Sequence, residues 1–178
     1  VHYMESMRIE KNRPHRMFPT LETGSRKWQN YRLSVKMQRL SCKGMAGLAF
    51  CMNDSIDTLV FALRDKTTAE LHYRHKEEVI LLASASFEQD SDTLYELAAD
   101  INGNQVDCYI DGKQLLHAET ELAERGGKVG ITADCPTRFT EVEAVVTKEE
   151  AAGIQEREEN RKKLEAEEQA KHPGMKLW

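Results

Sequence analysis

The sequence contains no apolar run long enough to cross a membrane as a helix. Such a span needs roughly 18 or more apolar residues, and the longest run, Val79–Ala83, has only the length of a strand. The N-terminus begins at Val1 without an initiator Met and shows no apolar signal-peptide core. We therefore expect no membrane partner, and we expect the chain to be an excised part of a larger protein.

A concentrated basic surface is also missing. The formal net charge is −5, whereas binding to nucleic-acid phosphates requires clustered Lys and Arg. The stretch from Lys11 to Arg16 is the nearest to a basic patch, but no nucleic-acid-binding motif accompanies it. The sequence predicts no nucleic-acid partner and favours a solvated arm for this stretch.

Cysteines are few, and their spacing does not suit a metal. They are Cys42, Cys51, Cys108 and Cys135. None belongs to a C-x-x-C pair, and no His lies beside them at zinc-site spacing. A chain of 178 residues can bury a core that needs no disulfides. We predict free thiols, with Cys51 and Cys108 as small core residues.

The sequence is rich in period-two alternation, which places every second side chain on one face of a sheet. Between residues 31 and 38, Tyr31, Leu33, Val35 and Met37 are apolar and the residues between them are polar. The pattern recurs at 48–52, 59–63, 71–73, 79–87, 95–101, 106–110, 129–131 and 139–146. About ten short strands are therefore expected.

Turn-forming residues separate these segments. Asn102-Gly103-Asn104 and Asp111-Gly112 favour tight hairpins, because Asn, Asp and Gly tolerate positive φ. The segment from Gly44 to Gly47 is expected to be a flexible link, and no helical periodicity is evident before residue 147. Short strands with turns at this spacing predict an all-β sandwich or barrel.

The composition changes after the last predicted strand. Residues 148–172 are rich in Glu, Lys, Arg and Ala, with oppositely charged pairs four apart such as Glu158 and Lys162, so a helix ending before Pro173 is predicted. Its apolar residues are too sparse for a coiled-coil seam, which favours a solvated spacer, or a helix with one thin packing face, over a dimerising coil. The predicted parts are an N-terminal arm at 1–26 that could add an edge strand, a β-sandwich domain at 27–147, and a charged helix with linker at 148–178.

Three segments resemble the concanavalin-A-like lectin/glucanase and laminin-G-like jelly-roll domains. Asp107–Leu116 looks like their strand, Asp-Gly turn and strand. Gly126–Ile131, followed by Arg138-Phe139, looks like their closing pair of strands, and Trp28–Val35 is similar to their opening strand with tryptophan, two residues and tyrosine. The resemblance covers roughly residues 28–147 and implies an antiparallel jelly-roll β-sandwich.

The C-terminal part resembles a connector between domains. A charged helix followed by Pro173 and Lys176-Leu177-Trp178 is similar to the segment that follows such a sandwich in large bacterial polysaccharide-degrading, rhamnogalacturonan-lyase-like proteins. The resemblance implies a non-catalytic accessory module that binds or positions carbohydrate, with further domains of the same parent protein as neighbours. It also implies an extracellular or periplasmic location for that parent.

Few residues suggest catalysis or a cofactor. Glycosidases need two carboxylates about 5 to 9 Å apart, and only Glu141 and Glu143 approach the pattern that this fold uses. Two solvent-facing glutamates are the favoured interpretation, so no catalytic residue is predicted, and a glycan hydrolase or lyase is the alternative. Asp107 and Asp111 could contribute to a calcium site, but calcium needs six or more oxygen ligands. Turn roles are favoured for both, and no cofactor is predicted.

The most suggestive polar cluster lies on the predicted strand 70–76. His72 and Arg74 share one face of it, and Arg64 could lie beside them in a hairpin. Such a row suits hydrogen bonding to sugar hydroxyls or uronate carboxylates, and Trp28 could stack on a sugar ring. The competing interpretations are a solvated strand face for the row and core packing for Trp28. A protein-interaction or spacer domain is the remaining functional alternative.

Overall fold

The computed structural model describes residues 2–4, 20–146 and 148–171, which form strands and two helices. The chain divides into two compact units, residues 1–145 and 146–178. The elements are β1 (His2–Met4), β2 (Thr20–Thr23), β3 (Tyr31–Arg39), β4 (Met45–Asp54), β5 (Asp57–Arg64), β6 (Thr68–His75), β7 (Glu78–Ser86), β8 (Leu94–Asn102), β9 (Gln105–Ile110), β10 (Lys113–Glu119), α1 (Glu121–Arg125), β11 (Lys128–Ala133), β12 (Thr137–Val146) and α2 (Lys148–Lys171).

The strands form two six-stranded antiparallel sheets. Sheet A has the order β1-β12-β3-β8-β9-β10, and sheet B has the order β2-β11-β4-β5-β6-β7. Hairpins connect β4 through β7 and β8 through β10, whereas β11 and β12 return to different sheets. Within the arm, β1 pairs with β12 and β2 pairs with β11. The predicted antiparallel jelly-roll β-sandwich is confirmed.

Alternation selects the residues of the core between the sheets. In β3, Tyr31, Leu33, Val35 and Met37 are buried, and the polar residues between them are half-buried. Sheet B contributes fully buried side chains to the same core, among them Leu48, Phe50, Phe61 and Leu71. Burial of each such side chain stabilises the fold by about 1.5–3 kcal/mol, which fixes the inward face of each strand.

The outward face of sheet B is buried as well. Met45, Ala49, Met52, Val60 and Ala62 form a buried apolar cluster there, on the face opposite to Leu48 and Phe61 according to the pairing of β4 with β5. β4 is consequently buried on both faces along most of its length, as its nearly continuous apolar sequence indicates.

The predicted flexible link from Gly44 to Gly47 is wrong, because β4 begins at Met45 and Gly47 pairs with Ala62 inside the sheet. A Cβ atom at Gly47 would lie 2.0 Å from the carbonyl oxygen of Phe61. This glycine therefore permits a close approach of two strands rather than a turn. A turn and a close approach of two strands both favour glycine because it has no side chain, so the sequence does not distinguish them.

One short helix, the single turn α1, lies before residue 147, where the sequence shows no helical periodicity. Thr120 begins it by accepting a hydrogen bond on Oγ1 from Leu122 N at 3.3 Å. Gly126 ends it with φ 69° and ψ −164°. One turn is too short to show helical periodicity, so these capping residues were its main sequence signal.

A buried arginine joins the loops at one end of the sandwich. Arg39 is 4% exposed, and its Nη1 donates to the carbonyl oxygens of Gly44 at 3.1 Å and Leu63 at 3.4 Å. Its Nη2 donates to the carbonyl oxygen of Asp65 and to the side-chain oxygen of Gln89. One guanidinium thus satisfies acceptors from three connections, between β3 and β4, β5 and β6, and β7 and β8.

All four cysteines are free and buried, as predicted. Burial raises the pKa of the Cys51 thiol to about 11 and raises the pKa of Cys108 further. Both thiols therefore stay protonated near neutral pH and act as small apolar residues of the core.

The second unit contains α2, whose described side chains from Ala151 to Lys171 are exposed apart from a half-buried Gly153. Arg161 and Glu165 form an ion pair of 4.0 Å in it. The described contacts of the helix do not include the expected pair of Glu158 with Lys162. No helix within the described ranges is both long and apolar enough to span a membrane. The predictions for Pro173 and the tail to Trp178, and for the arm between residues 5 and 19, lie outside the described residues.

Candidate functional site

The polar cluster predicted between residues 70 and 76 lies on β6. Glu70, His72 and Arg74 project from the same face of this strand, where His72 pairs with Val60 and Arg74 with Thr58 of β5. This is the outward face of sheet B, which also carries the buried apolar cluster. Glu70, His72 and Arg74 are called the β6 row below.

Arg64 contacts the near end of the β6 row. It pairs with Thr68 in the hairpin between β5 and β6, and its Nε and Nη2 donate to Glu70 Oε1 at 2.9 and 2.6 Å. His72 Nδ1 lies 3.2 Å from the same oxygen. Sequence reasoning named Arg64 and His72 but missed Glu70, whose only signal was its two-residue spacing from His72.

Burial excludes most of this row from direct contact with a ligand. His72 is 1% exposed and Arg74 2% exposed, whereas the side chain of Arg64 is 45% exposed. Burial also lowers the pKa of the Arg74 guanidinium to about 10, against the opposing effect of Asp134. His72 and Arg74 are therefore enclosed in this conformation, and the interpretation of the row as a solvated strand face is wrong for these two residues. Alternation identifies a shared face, but it does not reveal that the face is covered.

Glu70 should make the protein sensitive to acid. Burial alone would raise the pKa of its carboxyl group, but the nearby His72 imidazole and the Arg64 guanidinium outweigh burial and hold the pKa below its usual range. Because the pKa is lower in the folded state, ionised Glu70 contributes stability that is present above the unfolded-state value and is lost as the pH falls through the folded-state value.

We expect Glu70→Gln to lose less unfolding free energy than the wild type between about pH 5 and pH 3. Urea denaturation at each pH measures this difference. Glu143→Gln, on an exposed position of β12, is the matched control and should follow the wild type. Equal acid sensitivity of the wild type and Glu70→Gln would contradict the role of Glu70.

Trp28 lies apart from the β6 row. Its ring packs edge-on against Tyr31 with ring centroids 6.5 Å apart and lies against Gly24. Its carbonyl oxygen accepts a hydrogen bond from Gly127 N at 2.9 Å. None of its described contacts involves the β6 row or Arg64, so the structure does not bring the four predicted ligand-binding residues together. These contacts favour a packing role for Trp28.

A second polar face, on the outward side of sheet A, is open to solvent. Strand registers align Arg32, Asp100, Asp107 and His117 in one row across β3, β8, β9 and β10. Arg32 Nη1 donates to Asp100 Oδ2 at 2.7 Å. Asp107 Oδ1 lies 2.6 Å from His117 Nδ1 and accepts from Gln114 Nε2 at 2.8 Å. Side-chain contacts of this kind hold the polar groups in defined positions on the sheet.

The adjoining row on the same face contains an aromatic ring beside small residues. Ser34, Ala98 and Tyr109 are neighbours across β3, β8 and β9, and Gln114 follows on β10. The guanidinium carbon of Arg32 lies 5.0 Å from the centroid of the Tyr109 ring. Because Ser34 and Ala98 have short side chains, the surface of the sheet next to the Tyr109 ring is low. The two rows together are called the sheet A platform below.

An open cleft of about 320 Å³ adjoins the sheet A platform and is lined by Lys36, Leu94, Glu96 and Asp111. Lys36 pairs with Glu96 one step along the same face from Ser34 and Ala98. The Asp111 carboxylate accepts a hydrogen bond from Glu96 N at 2.8 Å, which fixes these two lining residues relative to each other. The surface around the Tyr109 ring thus continues into a cleft whose volume lies in the range of small-ligand sites.

Sequence reasoning missed the sheet A platform, although its residues were visible as the polar half of the alternating pattern. Arg32 and Tyr109 are far apart in sequence and come together because β8 lies between β3 and β9. Alternation indicates which residues point outward, but not which strands are neighbours. The polar positions of β3, β8, β9 and β10 were the available signal, and the strand order was the missing information.

Glu141 and Glu143 are both exposed on β12. Glu141 has φ 51°, and its Oε2 lies 2.7 Å from Lys36 Nζ. Glu143 is exposed on β12. A carboxylate held by lysine and one facing solvent agree with the favoured interpretation of this pair.

Asp111 forms a turn, as expected. It has φ 49°, is followed by Gly112 with φ 81°, and connects β9 with β10. The Asp107 carboxylate contacts the side chains of Gln114 and His117. Within the described ranges, no group of three or more His, Cys, Asp or Glu residues could hold a metal ion.

Comparison with known proteins identifies the fold. No model of a protein family matches the chain, and no curated protein matches it. The carbohydrate-binding module CBM66 from Bacillus subtilis is similar in structure with a TM-score of 0.61 and 14% identity, over 71% of this chain and 76% of that protein. Sheep galectin-11, solved with glycerol, has a TM-score of 0.52 and 13% identity, over 75% of this chain and all of that one.

The GH43 protein BlXynB from Bacillus licheniformis is a larger relative in structure. It matches 73% of this chain with a TM-score of 0.52 and 18% identity, but the match covers only 33% of that protein. These likenesses show that the chain has the jelly-roll β-sandwich fold of these proteins.

Proposed function

We propose that this chain is a non-catalytic glycan-binding module and that the sheet A platform is its sugar-contacting surface. The observation that carries the proposal is one half-buried aromatic ring, Tyr109, with Arg32 over one of its faces, among charged and amide groups in defined positions. Ligand sites typically combine an apolar or aromatic surface with a few convergent polar groups. An aromatic ring can pack against the C–H face of a sugar, while polar groups meet its hydroxyls.

The polar groups of the sheet A platform cover both hydrogen-bonding roles. A sugar hydroxyl donates one hydrogen bond and accepts others, the carboxylates of Asp100 and Asp107 accept, and the guanidinium of Arg32 donates. Their contacts with each other and with His117 hold them in place before a ligand arrives. This preorganisation lowers the entropic cost of binding.

The comparisons support the coarser part of the proposal, because one structural neighbour is named as a carbohydrate-binding module. The connector-like segment from Lys148 to Trp178 adds the finer part of the proposal. It favours an accessory domain of a larger bacterial, rhamnogalacturonan-lyase-like polysaccharide-degrading protein, located outside the cytoplasm.

Tyr109→Ala is the variant that tests the sheet A platform. We expect the intact chain to bind members of a panel of plant and microbial glycans, and the variant to bind them at least about 10-fold more weakly, because an anchoring ring is lost. Array screening followed by titration calorimetry measures the change. Tyr95→Ala is the matched control, because Tyr95 is a half-buried tyrosine of sheet A that packs against Phe87 instead.

Other outcomes would identify the alternatives. Binding that survives Tyr109→Ala but is lost in Arg64→Ala would move the site to the exposed end of the β6 row. Glycan cleavage that depends on Glu141 and Glu143 would indicate a hydrolase or lyase. No binding to any glycan would contradict the proposal and leave a protein-interaction or spacer domain.

A further inference from the structure

Among the residues that the structure describes, strand β7 forms an open edge of sheet B. It pairs with β6 on one side, and no described strand pairs with its other side, which presents backbone N–H and C=O groups for pairing. Val79, Ile80 and Leu81 are 48%, 46% and 56% exposed. Proteins usually protect such edges with charged residues or proline, and residues 79–87 contain neither.

A bulge limits the part of β7 that can accept another strand. Leu71 pairs with Ala83 but His72 pairs with Leu81, so Leu82 is an extra residue on β7. The regular segment before the bulge, Glu78–Leu81, includes all three of the exposed apolar residues. The available edge is therefore short and apolar.

We propose that β7 pairs antiparallel with β7 of a second copy of this chain, about a two-fold axis at Ile80. In this register Ile80 faces its counterpart and Val79 faces Leu81, so these apolar side chains meet apolar side chains. Glu78 lies beside the bulged Leu82 of the other copy, and no two carboxylates are opposed. A parallel pairing would place Glu78 against Glu78, which like charge disfavours.

The charged residues before the segment agree with the same axis. Lys76, Glu77 and Glu78 lie at one end of the paired segment, and an antiparallel arrangement places those of the two copies at opposite ends. A two-fold contact of this type uses the same surface on both copies and closes at the dimer. Because the paired segment is short, the interface buries little surface area, and we expect a weak dimer that forms only at high protein concentration.

Sedimentation velocity between about 1 µM and 1 mM tests the dimer. We expect the wild type to move from monomer to dimer over this range, and Ile80→Lys and Ile80→Glu each to raise the dissociation constant at least about 10-fold, because the axis sets like charges against each other. An equimolar mixture of the two variants should recover a dimer, since lysine then faces glutamate. Leu94→Lys, on a 53% exposed leucine of β8, is the control and should dimerise like the wild type.

Three results would overturn the proposal. A wild type that stays monomeric at about 1 mM would leave an extended segment of another protein as the occupant of this edge. Dimers that persist in both Ile80 variants would place the interface elsewhere. Failure of the mixed variants to associate, with circular dichroism showing both folded, would exclude the register about Ile80.

Discussion

Arg39→Ala is expected to lower the free energy of unfolding by about 3–4 kcal/mol. The substitution removes a buried guanidinium that donates to carbonyl oxygens of Gly44, Leu63 and Asp65, and it leaves a cavity. Loss of a buried charge recovers part of its desolvation cost. Several unsatisfied buried acceptors, at about 1–3 kcal/mol each, outweigh that gain.

Urea denaturation followed by circular dichroism measures this loss. Arg39→Lys should rescue little, because an ammonium group cannot reproduce the planar fork of donors that reaches three connections. Arg32→Ala is the control, since Arg32 forms a partly exposed ion pair with Asp100 and should cost no more than about 1 kcal/mol. Similar losses for Arg39→Ala and Arg32→Ala would show that the buried network contributes no special stability.

Gly126→Ala is expected to lower the free energy of unfolding by about 3 kcal/mol, for two separate reasons. The backbone of Gly126, with φ 69° and ψ −164°, lies in a region that is essentially restricted to glycine and strains other residues by about 1–3 kcal/mol. In addition, a Cβ atom there would lie 2.1 Å from the carbonyl oxygen of Trp28. That oxygen accepts the hydrogen bond from Gly127 N, so relief of the clash would break the contact that holds α1 against the segment before β3.

Gly103→Ala separates the two reasons. Gly103 has a similar φ of 59°, but no atom lies within 4 Å of the position of a Cβ atom there. Gly103→Ala should lower the free energy of unfolding by only about 1–2 kcal/mol, which is the penalty of a left-handed conformation for an L-residue. The difference in unfolding free energy between the two variants reports the steric contribution together with any additional backbone strain at Gly126. If that difference were zero, the approach of Gly126 to Trp28 would not constrain the fold.

The outward faces of the two sheets differ in their accessibility to a ligand. The β6 row has the residue types that were expected to bind a sugar, but His72 and Arg74 are enclosed and Glu70 interacts with Arg64 and His72. The sheet A platform has comparable polar chemistry with solvent access. Accessibility decides between them, because a side chain without exposed surface cannot contact a saccharide.

The sequence by itself determined which residues form strands and which side of each strand is apolar. The alternation of Tyr31 to Met37 and the turns at Asn102-Gly103 and Asp111-Gly112 reflect local rules of side-chain direction and backbone conformation. The charged composition after residue 147 likewise predicted α2. These features depend on neighbours within a few residues, so one sequence is enough to find them.

Only the tertiary structure decided which strands are neighbours and which faces are covered. Placing β8 between β3 and β9 brings Arg32 beside Tyr109, and the burial of both faces of sheet B encloses His72 and Arg74. Strand order and burial arise from packing between segments far apart in the chain. Alternation repeats every two residues in every strand and carries no information about that packing.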